Sequence, residues 1–141
     1  MTHPADVSTR LVETDRIETN VYESGDREGH PICFVHGNVS SARFWAEAMA
    51  DLPDEYYALA PDLRGFGDSE TQDVDATRGV RDFSEDIEAL VDALGIAEMT
   101  LVGWSIGGGV AMRYAIDNPG HLSHLVLVNP VSPYGVGGTT R

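Results

Sequence analysis

Four short apolar runs, each too brief for a helix, alternate with segments of helical spacing, and this alternation limits the fold more than any other feature. The runs are Ile32 to Val35, Tyr57 to Pro61, Met99 to Val102 and Leu125 to Val128. Between them lie Phe44, Ala48, Met49 and Leu52 at helical spacing. A longer stripe follows, made by Val80, Phe83, Ile87, Leu90, Val91 and Leu94, with Asp82, Glu85, Asp86, Glu88 and Asp92 on its other face and Gly95 as its stop. Val110, Ala111, Tyr114 and Ala115 form a third helix, closed by Asn118-Pro119. Continuous apolar strands alternating with helices predict an α/β fold, a mostly parallel sheet with helices on both faces. An N-terminal strand pair is expected from Arg10 to Glu23, where apolar and polar residues alternate around a Thr14-Asp15 turn. With 141 residues the chain reads as a single domain over 1–141.

In such sheets ligands collect at the carboxyl ends of the strands. His36, Asp62, Ser105 and Asn129 fall there. The most informative of these positions is Gly103-Trp104-Ser105-Ile106-Gly107, between an expected strand and an expected helix. A serine in that place occupies a tight, strained turn, and the flanking glycines let strand and helix approach. Its hydroxyl then projects at a helix N-terminus, whose dipole favours developing negative charge. A dinucleotide site would want glycine at Ser105, and no G-x-G-x-x-G is present: Gly65-Phe66-Gly67 meets Glu70 where the third glycine belongs. Acyl transfer also needs two N–H donors aimed at the tetrahedral oxygen. Ile106, just after the serine, supplies one. The loop His36-Gly37-Asn38 supplies the other, from the Asn38 amide. His36 itself invites a role as general base, although a residue in this turn more often braces loops.

The run HGNVSSARFW, the loop PDLRGFGDS and the elbow VGWSIGGGVAMRYA resemble the α/β-hydrolase superfamily, in its usual order and spacing. LVLVNPVSPYG is similar to the strand after the nucleophile helix in bacterial and archaeal esterase-like members, and the chain as a whole resembles an esterase/lipase-like serine hydrolase. The resemblance runs from about Thr9 onward. It implies Ser105 as nucleophile, the Asn38 and Ile106 amides as oxyanion hole, and a structural role for Asp62 and Arg64 in shaping their loop. Serine at the elbow argues against the haloalkane dehalogenase and epoxide hydrolase branches. Trp104 and Tyr134, at strand ends, are candidates to line an acyl pocket.

In the superfamily the triad runs Ser, then Asp or Glu, then His. Asp117 followed by His121 or His124 satisfies that order in sequence but not in space. Asp117 lies about twelve residues along the helix, roughly 18 Å from Ser105. His121 and His124 open the next parallel strand, at the same far end, and His3 and His30 also fall on the wrong side. A base must come within about 3 Å of the hydroxyl, or one water away. No carboxylate lies from Asn129 to Arg141. The expectation is therefore the N-terminal part of the fold, without the cap and the strands that carry the acid and the histidine. Two functional classes compete: a serine hydrolase of small esters or related acyl compounds, and a catalytically inactive remnant or split half that acts as a binding module.

No metal or cofactor is expected. His121 and His124 have no further ligand at useful spacing, and Cys33 sits in an apolar run. All nine basic residues are Arg, which excludes a phosphate loop or Schiff base that needs lysine. The net charge of -14 argues against nucleic-acid and membrane partners. Self-association through Leu125 to Val128, or pairing with a missing C-terminal half, is expected, because the strand would lie at an edge. The opening MTHPADVSTR has no basic stretch or apolar run of a secretory signal, so a cytoplasmic location is expected. Dense carboxylates without lysine point to a high-salt, halophilic setting. Salt screens self-repulsion, since the Debye length falls to about 3 Å at 1 M. The melting temperature should accordingly rise from dilute buffer to molar NaCl; a flat or falling trend in a thermal scan would overturn the halophilic reading.

Overall fold

The computed structural model describes residues 6–132. Six strands form one sheet: β1 (Ser8–Glu13), β2 (Glu18–Gly25), β3 (His30–Val35), β4 (Tyr56–Pro61), β5 (Met99–Trp104) and β6 (Leu122–Val128). Their spatial order is β1-β2-β4-β3-β5-β6. The β1–β2 hairpin joins antiparallel to β4, and β4, β3, β5 and β6 run parallel. This is the mostly parallel sheet that the apolar runs predict.

Alternate residues of the central strands point to opposite faces, and each face has its own core. On one side Val21, Cys33, Val35, Leu59 and Leu101 meet α2 (Arg81–Ala93) and α3 (Ile106–Asp117). On the other, Tyr22, Phe34, Ala58, Ala60 and Val102 meet a 3₁₀ turn (Ala42–Trp45) running into the short α1 (Ala46–Ala50). Helices thus cover both faces.

One helical stripe differs from its expectation. Its buried residues are Ala42, Trp45, Ala46 and Met49, whereas Phe44 and Ala48 are exposed. The opening 3₁₀ turn has a period of three, and it rotates Trp45 rather than Phe44 onto the sheet. Trp45 lies 5.0 Å from Phe34, ring to ring. Strand β6 also begins earlier than its apolar run, at Leu122.

The expected ends are in place. His36, Asp62, Ser105 and Asn129 immediately follow β3, β4, β5 and β6, on the carboxyl side of the parallel strands. Among the described residues no helix is long and apolar enough to cross a membrane.

Strand β6 pairs only with β5 among the described residues, and its Leu125, Val126, Leu127 and Val128 are 36–45% exposed. The strand carries neither Lys nor Pro to block edge pairing. Dimers or larger species are the expected outcome at tens of micromolar by light scattering. A monodisperse species of 15.2 kDa would contradict it.

Candidate active site

Ser105 stands between β5 and α3 with φ 57° and ψ -121°, a conformation that costs a non-glycine residue about 1–3 kcal/mol. Its surroundings hold it there. The Ser105 N–H donates to the Val128 carbonyl at 3.0 Å. Its own carbonyl accepts from Gly108 at 2.9 Å and from Val131 at 3.0 Å. The chain past β6 therefore closes over the elbow from one side. On the other side α3 reaches the sheet through glycine. A Cβ at Gly103 would collide with the backbone of Gly107 and Gly108, and one at Gly107 with the carbonyls of Val35 and His36.

The Ser105 hydroxyl makes no hydrogen bond with any described residue. Ile106 is the first residue of α3, so its N–H belongs to the free N-terminal donors of the helix. Asn38 is exposed in the turn after β3. Neither amide donates a hydrogen bond among the described residues. Trp104, just before the serine, packs closely against the loop after β3: a Cβ at Gly37 would come within 2.7 Å of its ring. Tyr134 lies outside the described residues.

His36 is fully buried, and both ring nitrogens are in use. Nδ1 faces the Gly37 carbonyl at 2.8 Å, which can only accept, so Nδ1 carries the proton. Nε2 accepts the Leu63 N–H at 2.9 Å. This neutral imidazole ties the loop after β3 to the loop after β4, and Phe66 packs edge-on at 5.3 Å. Asp62 organises the second loop. Its Oδ1 accepts from the Ala42 N–H at 2.8 Å, and its Oδ2 from Asn20 Nδ2 at 2.9 Å and the Asp68 N–H at 3.0 Å. Arg64 binds both oxygens of Asp86 on α2 at 2.8 Å and reaches the Asp73 carbonyl at 2.7 Å.

The other described histidines lie elsewhere. His30 opens β3 and contacts Thr100 Oγ1 at 2.9 Å, and His121 precedes β6 with its Nδ1 2.9 Å from the Tyr114 hydroxyl. His124 pairs in register with Thr100, five residues before Ser105 along β5, or about 16 Å. Asp117, at the far end of α3, is held by Arg113 at 2.7 Å. Burial pushes the Cys33 thiol up to about 12, which leaves it protonated. Among the described residues no group of three His, Cys, Asp or Glu is placed to hold a metal ion. A cavity of about 760 Å³ between the β1–β2 turn and α2 is walled by Glu13, Asp15, Glu85, Glu88 and Asp92, away from the strand ends. A groove of about 730 Å³ lies at those ends, between the loops after β3 and β4.

Two features escaped the sequence. The aromatic partner of Trp104 is Phe44, stacked at 4.2 Å with 10° between the rings. Its place on an apparent core stripe hid this. Val39 is the other: it adopts φ 51° and is 90% exposed, and nothing in its residue type announces a left-handed turn.

Burial lowers the His36 pKa, while the Gly37 carbonyl and the Asp62 charge oppose that shift. An unfolded imidazole, near 6.5, takes a proton more readily than the folded one. The stability it contributes is thus complete above that value and is lost as pH falls through it toward the lowered pKa. Carboxylates held low, such as Glu23 and Asp82, act only at more acid pH. The expected outcome is a melting temperature that declines from pH 7 to pH 5. His36→Asn should cost about 1–3 kcal/mol at pH 7 and flatten that decline. Parallel slopes for the two proteins would remove His36 as the cause.

Residues 30–138 match the family model for the alpha/beta hydrolase fold. The chain is 36% identical over 115 residues to a 2-hydroxymuconate semialdehyde hydrolase of Pseudomonas sp. (strain CF600), a match that spans 79% of this chain and 40% of that protein. Among solved structures it is similar to a bacterial membrane phospholipase A, with TM-score 0.83 and 28% identity over 90% of this chain and 41% of that one. It is also similar to an epoxide hydrolase of Vigna radiata, with TM-score 0.79 and 30% identity over 86% of this chain and 39% of that one. The chain thus spans about two-fifths of the length of these relatives. Its six-stranded sheet is the N-terminal part of their fold, and the chain belongs to the α/β-hydrolase family.

Proposed function

We propose that the chain carries the acyl-transfer half of a serine hydrolase that cleaves small esters or related acyl compounds, with Ser105 as nucleophile. The observation that supports this most is the strained backbone of Ser105, fixed on both sides while its hydroxyl has no partner among the described residues. Ser105 Oγ attacks the ester carbonyl, and the Asn38 and Ile106 amides stabilise the oxyanion. Collapse expels the alcohol and leaves an acyl-serine, which water then hydrolyses. This sequence of steps calls for neither metal nor cofactor.

Attack requires a base that takes the serine proton and returns it to the leaving alcohol. His36 cannot serve, because Nδ1 donates and Nε2 accepts within the loops. His30, His121 and His124 lie toward the opposite end of the sheet. We therefore assign the base and its acidic partner to a part of the protein beyond residues 6–132. The same observation favours a second reading, a binding module without turnover. Whole relatives bear names as different as semialdehyde hydrolase, phospholipase and epoxide hydrolase, so the elbow residue, rather than the shared sheet, guides the choice of chemistry.

Without a base the serine is an almost wholly protonated alcohol. By analogy with triad deletions, the loss is roughly 10⁴- to 10⁶-fold, while oxyanion donors and binding retain about 10³-fold over water. The chain should show barely detectable hydrolysis of p-nitrophenyl acetate, with no acyl-enzyme burst, and Ser105→Ala should change the rate by less than about tenfold. Prolonged exposure to a fluorophosphonate should mark Ser105 ahead of the other eight serines, read by peptide mass spectrometry. Labelling that is absent, or spread over other serines, argues against Ser105 as nucleophile and for the module without turnover. Turnover near about 10 per second, abolished by Ser105→Ala, would show a base within this chain.

A further inference from the structure

Cations are scarce in this protein, and most of those described are committed to carboxylates. Arg10, Arg16, Arg27, Arg64, Arg78 and Arg113 each form an ion pair at 3.3 Å or less. Arg43 and Arg81 do not: among the described residues no carboxylate lies within 4.0 Å of either guanidinium, although the chain has 23 acidic residues. Arg43 lines the groove of about 730 Å³ between the loops after β3 and β4, together with Val39, Phe44 and Phe66.

Ser40, Ser41 and two glycines complete that wall, and its other large side chains are apolar. Val39 is 90% exposed and Phe44 53% exposed. The Phe44 ring is fixed by its stack on Trp104, which directly precedes Ser105. Phe66 is fixed edge-on against His36. Rigid aromatic and branched side chains around one unpaired guanidinium make a surface with an apolar body and a single charged anchor. In a chain of net charge -14 anions are repelled over most of the surface, and Arg43, unlike the exposed Arg81, stands in a groove with apolar side chains beside it.

We propose that the groove binds amphipathic carboxylates, with Arg43 holding the carboxylate in its planar fork and Val39, Phe44 and Phe66 covering the apolar body. This names a substrate class for the site under the reading of Ser105 given above, and it rests on that reading only for the reaction that follows binding. An ester of this class would carry its carboxylate at the groove and its acyl carbon past Phe44, toward the elbow.

Equilibrium dialysis of the full chain against 4-phenylbutyrate and 4-phenylbutanol tests the proposal whatever the oligomeric state. At low salt the acid should bind about fivefold more tightly than the alcohol, the upper range of an exposed ion pair. Arg43→Gln should abolish that preference, Arg43→Lys should keep part of it, and molar NaCl should erase it. Phe44→Ala should weaken both ligands together. Ser105→Ala should leave both affinities unchanged, so a serine that fails to label and a groove that fails to bind are separate results. Equal binding of acid and alcohol, tighter binding of the alcohol, a preference that survives Arg43→Gln, or no binding of either up to about 10 mM would each overturn the proposal.

Discussion

The approach of α3 to the sheet governs the rest of the candidate site. At Gly103 and Gly107 the helix and the ends of β3 and β5 meet at a separation that leaves no room for a Cβ. That contact sets how far Ser105 stands from the loop carrying Asn38. A side chain at either position would push the helix outward and take the serine and the Ile106 amide with it. It also accounts for the persistence of the Ser105 conformation. A non-glycine residue at φ 57° survives only where its neighbours over-determine it, and here Val128, Val131 and Gly108 do so by hydrogen bonds. The backbone of the residue is satisfied, and among the described residues its hydroxyl has no partner.

Electrostatics hold the facing wall. The loop after β4 has no regular structure, so its shape depends on partners for its polar groups. Asp62 supplies acceptors for three separate segments at once, from β2, the start of the 3₁₀ turn and its own loop. Arg64 anchors the same loop to α2 through Asp86, which also receives Arg16 at 2.8 Å. Arg78 adds contacts to Asp82 and Glu85. In a chain with so few cations this concentration on one helix face relieves local repulsion among the α2 acids. Arginine suits the task, because one planar fork bridges two carboxylate oxygens and still reaches a carbonyl.

Much of this was legible in the residues. Continuous apolar runs give the parallel strands directly, and the α2 stripe with its acidic reverse face is unambiguous. The Gly-x-Ser-x-Gly spacing marks a strand-to-helix turn because glycine is demanded at two fixed places. The helix after β3 was less legible, since Phe44 and Trp45 are adjacent aromatics and each completes an apolar stripe. A 3₁₀ start decides between them, and that choice depends on sheet packing the sequence does not display. The commitment of both His36 nitrogens was equally hidden, because its partners are backbone groups with no residue signature. The strand order was hidden too, because apolar runs specify burial without naming neighbours.

The two requirements of the acyl transfer proposed for this chain have different physical origins. The proposed oxyanion donors are backbone amides of two short segments, 36–38 and 103–107, which close packing at Gly37, Gly103 and Gly107 brings together. A proton carrier is a side chain that must arrive within hydrogen-bond reach of the hydroxyl, and among the described residues nothing local to the elbow provides one. His36 shows why proximity in the fold is insufficient: it lies beside the loop carrying Asn38, yet its burial and its two backbone partners give it the work of a brace. The stack of Phe44 on Trp104 links the groove to the elbow through rigid rings. Under the proposed reading, positioning and electrostatic stabilisation reside in this part of the fold, separate from the proton transfer that would use them.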